Sequence, residues 1–290
     1  MPQSLVPMKV ARQPVIILGM HRSGTSMISE LLDELGLFVG QQLQDDHEST
    51  FFLDLNDQIM NRVSAAWDWP KPVLDFLACE QAVRMTAEAL SADLSSRRIK
   101  GFMKRFSLET FDKPWGWKDP RTVFTLPLWL KLFPDAKLIY IVRNGIDVAK
   151  SLLVRETKLL ALRIKRFDER MQKLSLRSRL DRAGYKGSAR CLSMQGGFDL
   201  WEEYVRQADE ILRPLNNPVL TLRYEDILAE PTKHLAELAH FCELSATPES
   251  IATAAKKING SRALAFTTDP KSAAFYETVK HNAWMQKYRY

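Results

Sequence analysis

Cysteine is scarce in this chain and shows no pattern: Cys79, Cys191 and Cys242 are all there is in 290 residues. An odd, widely spaced set excludes a disulfide framework and the paired spacing of a zinc site, and it fits reduced thiols. Long apolar runs are missing too. None reaches the ~20 residues that a membrane-crossing helix needs, and none precedes the first strand as a signal peptide would. Those absences make a cytoplasmic protein the expectation. Internal repeats, long linkers and low-complexity tracts are also lacking, so the chain reads as one domain spanning residues 1–290. Its hydrophobic fraction of 46% and charged fraction of 26% are ordinary for a globular protein. Charge is not evenly spread. The net charge is +6, yet Arg155 to Arg190 alone holds twelve Lys/Arg against four Asp/Glu, so the remainder is slightly acidic. The basicity belongs to one segment, which argues against a nucleic-acid-binding protein.

One further absence carries more information. Val15-Ile16-Ile17-Leu18 reads as a strand buried on both faces. Gly19-Met20-His21-Arg22-Ser23-Gly24-Thr25-Ser26 follows as a glycine loop. Met27, Ile28, Leu31, Leu32 and Leu35 then recur at helical spacing, and Gly36 is placed to end the helix. Strand, glycine loop and helix in this order is how many folds hold a phosphate, because loop N–H groups and the positive helix end point at one anion. A triphosphate-binding loop of this form needs lysine after its second glycine. Here Thr25 stands in that place, and the charge lies inside the loop at Arg22.

The rest of the chain alternates. Phe51 to Trp67 and Cys79 to Arg97 read as helices, Trp115 to Lys118 as a short strand turned at Pro120, and Leu126 to Phe133 as a helix. Lys137 to Val142 is the second strong strand. It runs into Arg143-Asn144-Gly145 and a helix that Asn144 can cap, with Asp147 where a capping-box acid reaches back. In the basic segment Leu160, Ile164, Phe167, Met171 and Leu174 repeat as on an amphipathic helix, and Gly184 to Ser188 reads as a mobile loop. Phe198 to Leu212 is a helix stopped by Pro214, Val219 to Tyr224 a third long strand, and Pro231 opens a helix to about Glu243. Pro248 to Ile258 and Ala274 to Lys287 complete the helices. Strands separated by helices imply an α/β fold: three layers, a mostly parallel central sheet flanked by helices, like that of P-loop nucleotide kinases.

Three stretches resemble the sulfotransferases that use 3′-phosphoadenosine 5′-phosphosulfate (PAPS). They are Gly19 to Ser26, similar to the family's 5′-phosphosulfate loop; Ile141 to Ser151, similar to its 3′-phosphate motif; and Leu222 to Leu228, similar to the segment whose tyrosine lies near the adenine. Trp117-Lys118-Asp119-Pro120 resembles the Lys-Asp-Pro of the tyrosylprotein branch. The ending through Tyr288-Arg289-Tyr290 is similar to bacterial members that close in Gly-Tyr, with Arg289 in the glycine's place. The resemblance implies PAPS as donor substrate and no metal. It implies that Arg22, Ser23, Gly24, Thr25 and Ser26 hold the phosphosulfate end, Arg143, Ser151 and Arg155 the 3′-phosphate, and Tyr224 the adenine. Arg155 is four residues beyond Ser151, hence on the same helix face.

Sulfuryl transfer needs charge stabilised on the leaving oxygen, which a fixed cation beside helix-end amides supplies. Arg22 and Lys118 are the candidate catalytic cations. The acceptor must lose a proton, so a general base is expected. The tyrosylprotein branch has a glutamate some twenty residues after its loop, which points to Glu48; His47 is second, with Asp45, Asp46 and Asp119 in competition. Arg121 lies close enough in sequence to contact the acceptor. The acceptor's class (small molecule, glycan, lipid or peptide) stays open. The basic segment, about 155–190, reads as a helical flap over the acceptor site; its apolar stripe leaves open ordinary packing, a homodimer contact or a peripheral membrane contact. Two rival readings remain: an ATP-dependent small-molecule kinase, and a sulfotransferase-like binding protein without turnover.

Overall fold

The computed structural model describes residues 6–171 and 187–290. Four parallel strands form its sheet in the order β2-β1-β3-β4: β1 (Val15–Gly19), β2 (Gly116–Lys118), β3 (Lys137–Val142) and β4 (Val219–Arg223). Helices separate them along the chain, so the expected α/β architecture is the observed one. Strand β1 is buried along its whole length, because it has a neighbour on each side and helices above and below. Its unbroken apolar run follows from that position. The sheet order turns at β1, and in such sheets the crevice beyond the strands' C-terminal ends receives ligands. The glycine loop leaves β1 there, Asp119 follows β2, Arg143 follows β3 and Tyr224 follows β4.

The chain divides into two compact units, Met1–Arg143 with Tyr204–Ala263, and Asn144–Glu203 with Leu264–Tyr290. The first holds the whole sheet. Helix α1 (Thr25–Glu34) turns Ile28, Leu31 and Leu32 onto Ile17, Ile139 and Ile141, and Ile227, Leu235 and Leu238 complete that core. Each such side chain contributes about 1.5–3 kcal/mol by leaving water. A second, aromatic core lies under α2 (Thr50–Arg62). There Phe52 stacks on Trp117 with ring centroids 4.0 Å apart, and Trp129 meets both rings edge-on. Helices α3 (Lys71–Leu77), α4 (Glu80–Leu94) and α5 (Arg97–Phe102) follow. The sequence reading merges α4 with the start of α5 and has no α3. Helix α6 spans Thr122–Leu132, four residues earlier than expected, because the turn at Pro120 leads straight into it; Pro127 is accommodated inside.

The second unit begins with α7 (Gly145–Met171), a single helix of 27 residues. Asn144 caps it as expected, its Oδ1 accepting from the N–H groups of Ile146 (2.9 Å) and Asp147 (3.3 Å). The Asp147 carboxylate accepts from the amides of Ala265 (3.1 Å) and Phe266 (2.8 Å), a tertiary role that the capping reading does not include. Along α7, Leu159, Leu162 and Ile164 are exposed. Leu174 and most of the loop expected at Gly184 to Ser188 lie outside the described residues. The expected terminal helix is two, Pro270–Val279 and Ala283–Lys287, because Asn282 breaks the run and caps the second through Trp284 (2.9 Å). All three cysteines are free thiols, with Cys79 exposed and Cys191 and Cys242 buried. Among the described residues, no helix is long and apolar enough to cross a membrane.

Candidate active site

The loop after β1 is bent by its glycines. Gly24 lies at φ +92°, and a Cβ there would meet the Tyr224 ring at 2.3 Å. At Gly19 (φ +150°) a Cβ would meet the Ile141 carbonyl at 2.6 Å. Arg22 adopts the left-handed region without a glycine's freedom, at φ +70°, and its side chain is exposed. Ser23 is absorbed by the loop itself: its hydroxyl donates to the Met20 carbonyl at 2.6 Å and its amide to the same oxygen at 3.2 Å. Helix α1 makes its first bond from Ile28 N–H to the Gly24 carbonyl (3.2 Å). Its earlier amides, from Gly24 to Met27, therefore have no acceptor in the helix ladder, and they carry the positive end of the helix dipole.

Two residues from neighbouring strand ends brace this loop. The Tyr224 ring lies against Gly24 and is 4% exposed, and the Arg143 guanidinium stacks over it at 4.6 Å. Arg143 donates to the carbonyls of Arg22 (3.1 Å) and Arg262 (3.1 Å). The structure thus brings Arg143, Tyr224 and the loop together.

Beside the first turn of α1 lies a buried ionic cluster. The Lys118 ammonium, at the end of β2, donates to Ser26 Oγ (3.2 Å), to the Asp46 carbonyl (2.7 Å) and to Glu48 Oε1 (3.0 Å). Both side chains of that pair are nearly inaccessible, 1% for Lys118 and 3% for Glu48. Glu48 sits on a small hairpin: Gln44 N–H bonds the Glu48 carbonyl (2.9 Å) and Thr50 N–H the Gln42 carbonyl (3.0 Å). Arg121 reaches the other Glu48 oxygen at 3.6 Å and also pairs with Asp119 (3.0 Å) and Asp57 (2.8 Å). Burial pushes the Glu48 carboxyl up, the Asp119 charge adds to it and Lys118 opposes them, leaving it at about 7. Burial likewise raises Asp57 above its ordinary value. Tyr204 hydrogen-bonds the Trp67 carbonyl (2.8 Å), and His21 of the loop packs edge-on against Trp67 at 4.8 Å.

A sequence model described as the Sulfotransferase family matches residues 14–248, most of the chain and every strand of the sheet. The chain belongs to the sulfotransferase family. Among solved structures, the sulfotransferase domain from the Synechococcus PCC 7002 olefin synthase is similar at 17% identity and a TM-score of 0.50, with 99% of this chain and 98% of that one covered. The sulfotransferase domain from the curacin biosynthetic pathway is similar at 16% identity and a TM-score of 0.49, covering 96% and 99%. A sulfotransferase from Alicyclobacillus acidocaldarius stands at 16% and 0.44, covering 95% and 99%. At such identities the first of these shows a shared fold. No curated protein sequence matches the chain.

The sulfotransferase chain separates the candidate bases by where their side chains go. His47, at φ +62°, turns its ring to Asp33 of α1, with Nε2 3.3 Å from Oδ2. Asp45 and Asp46 are exposed, and Asp46 meets Lys118 through its backbone carbonyl. Asp119 is fully buried and committed to Arg121 and Asn56. Arg121 in turn is shared among the carboxylates of Glu48, Asp57 and Asp119. In the second unit, Ser151 is half-buried on α7, and Arg155 pairs with Glu156, whose buried carboxylate also accepts from Ser188 N–H (2.9 Å). Asn56, Asp57, Tyr204 and Glu156 are missing from the sequence reading. Asn56 had a signal: it falls in step with Phe52 and Ile59 on the buried face of α2, an unexpected place for an amide.

Proposed function

We propose that this chain transfers a sulfuryl group from PAPS to the hydroxyl or amine of an acceptor, with Lys118 and Arg22 as catalytic cations and Glu48 as general base. The observation that carries it is the position of Lys118. One ammonium lies within 3.2 Å of Ser26, in the first turn of the anion-binding helix, and within 3.0 Å of the glutamate whose carboxyl sits near 7. Cation, base and helix-end amides are therefore adjacent, which an in-line transfer requires.

The donor set fits a phosphosulfate. Amides from Gly24 onward and the Arg22 guanidinium supply hydrogen bonds and charge where a triphosphate site would place lysine and Mg²⁺. Glu48 takes the acceptor's proton as its oxygen or nitrogen attacks sulfur, and Lys118 and Arg22 balance charge on the sulfuryl and leaving oxygens. Arg143 is the natural partner for the 3′-phosphate. The family resemblance adds Ser151 and Arg155 to that phosphate and Tyr224 to the adenine. A cytoplasmic setting goes with three free thiols.

Thermal shift tests the donor. Strong stabilisation by 3′-phosphoadenosine 5′-phosphate, with little from ATP–Mg²⁺, is the expected result. Arg143→Ala should lose most of it and Glu48→Ala should keep it. Stabilisation by ATP–Mg²⁺ alone would overturn the proposal in favour of a kinase.

A further inference from the structure

Behind Glu48 lies a second, deeper layer of polar groups that the proposed reaction does not itself require. Asn56 is completely buried in the aromatic core, yet all four of its amide positions are used. Its Oδ1 accepts from Trp129 Nε1 (2.9 Å) and Thr125 Oγ1 (2.7 Å), and its Nδ2 donates to Asp119 Oδ2 (2.8 Å) and Thr122 Oγ1 (3.0 Å). The indole N–H of Trp129 can only donate. That fixes which end of the amide faces the indole, so the NH₂ end must face Asp119. Asp119 consequently receives a donor on each oxygen: Asn56 on Oδ2, and on Oδ1 both the backbone N–H (2.9 Å) and the guanidinium (3.0 Å) of Arg121. The Asp119 carboxylate is thus fully buried among these three donors. Arg121, gripped by that carboxylate, is what touches the far oxygen of Glu48.

We infer that Asn56 is a positioning residue: by donating to Asp119 it fixes Arg121 beside Glu48 and so maintains the arrangement in which Glu48 takes the acceptor's proton. The inference deepens the reading of Glu48 as base and rests on it. The groups facing Glu48 are Lys118 at the end of β2, Asp119 and Arg121 in the turn that follows, and Asp46 in its own hairpin. Asp57 on α2 acts through Arg121, and Tyr204 lies within electrostatic reach of the cluster. Of these, Asp119 and Asp46 hold the Glu48 proton on, while Lys118 draws it off. Loss of the Asn56 donor removes the hydrogen bond on Asp119 Oδ2 and loosens the hold of Asp119 on Arg121, which is then free to leave Glu48. With that cation withdrawn, the charged form of Glu48 loses a partner, and Glu48 ionises at higher pH.

The test is the ionisation of Glu48, read by carbon-13 NMR of the side-chain carboxyl in full-length protein and assigned by its absence in Glu48→Gln. Asn56→Leu, which keeps the volume and removes the amide, should move the midpoint upward by about half a pH unit or more. Trp129→Phe, which frees the amide to turn, should move it the same way by less. With an acceptor in hand, the acid limb of the kcat/KM profile should shift in parallel in Asn56→Leu, with kcat reduced and the KM for PAPS unchanged. A midpoint unmoved in both folded variants would overturn the inference. So would a loss of activity with an unchanged pH profile, which is what a purely structural role produces. Should Glu48→Gln keep full activity, the assignment of the base fails, while the NMR midpoint still decides the linkage from Asn56 to Glu48.

Discussion

On the proposed reading, Glu48 is the residue that takes the acceptor's proton. With its midpoint near 7, it is half-ionised at neutral pH, where a base is most useful. Activity should rise with pH through about 7, and Glu48→Gln should lower kcat by about 10²–10⁴-fold and flatten that rise in a pH–rate profile. Stability carries the opposite slope. The folded protein holds the Glu48 proton more tightly than the unfolded chain, whose carboxyl ionises near its ordinary 4.5. The group's contribution is therefore full below that value and is lost as pH rises through about 7. Melting temperatures of Glu48→Gln should decline less over this window than those of the parent. The sequence placed four acids and a histidine in contention here. Burial separates the four on the hairpin: Glu48 points inward to Lys118, whereas Asp45 and Asp46 face solvent and His47 is drawn to Asp33. That distinction depends on how one short hairpin folds, and no spacing rule encodes it. Asn56 stands in step with Phe52 and Ile59, yet its partners Asp119 and Trp129 lie 63 and 73 residues further along the chain, where no local pattern points to them.

Among the elements, the glycine loop and the strands were legible because their patterns are local. Four apolar residues followed by two glycines five apart define β1, the loop and α1 without help from distant residues. Less legible were helices whose ends are set by tertiary contacts. Helix α3 hides between a Trp-Asp-Trp-Pro break and Cys79, and α6 starts at Thr122 because Thr122 and Thr125 find buried partners on Asn56. The loop makes its own prediction. Gly24→Ala requires a side chain at φ +92° and drives a methyl group into the Tyr224 ring. The expected cost is about 1–3 kcal/mol from backbone strain, before the clash is counted. Donor binding should fall with it, because Tyr224 and Arg143 can no longer brace the loop. Denaturant unfolding and thermal shift with 3′-phosphoadenosine 5′-phosphate would measure the two effects separately. Tyr224→Phe, which keeps the ring against Gly24, should behave like the parent in the unfolding assay.

At the scale of the whole molecule, each compact unit is made from two separated stretches of chain. Sequence patterns do not reveal such partnerships, because the residues joining them lie far apart. In the second unit Asp147 binds the amides of Ala265 and Phe266, and Lys150 pairs with Asp269 at 2.9 Å. One turn of α7 thus ties down the returning C-terminal stretch. Asp147→Ala removes two charge-assisted hydrogen bonds, worth about 1.5–3 kcal/mol each. Amide exchange across 264–290 should accelerate about tenfold or more, while the strands of the first unit keep their protection.

The three cysteines, set apart by depth, also make the protein a natural reporter of its own unfolding. Cys79 is exposed, whereas Cys191 and Cys242 are enclosed, and burial pushes the Cys242 thiol up to about 12. A chromogenic disulfide reagent should therefore meet one fast thiol in the native protein and three after denaturation. The slow phase would time the opening of both units without any engineered label. A single fluorophore could also be attached at Cys79, at the start of α4, leaving the rest of the sequence untouched.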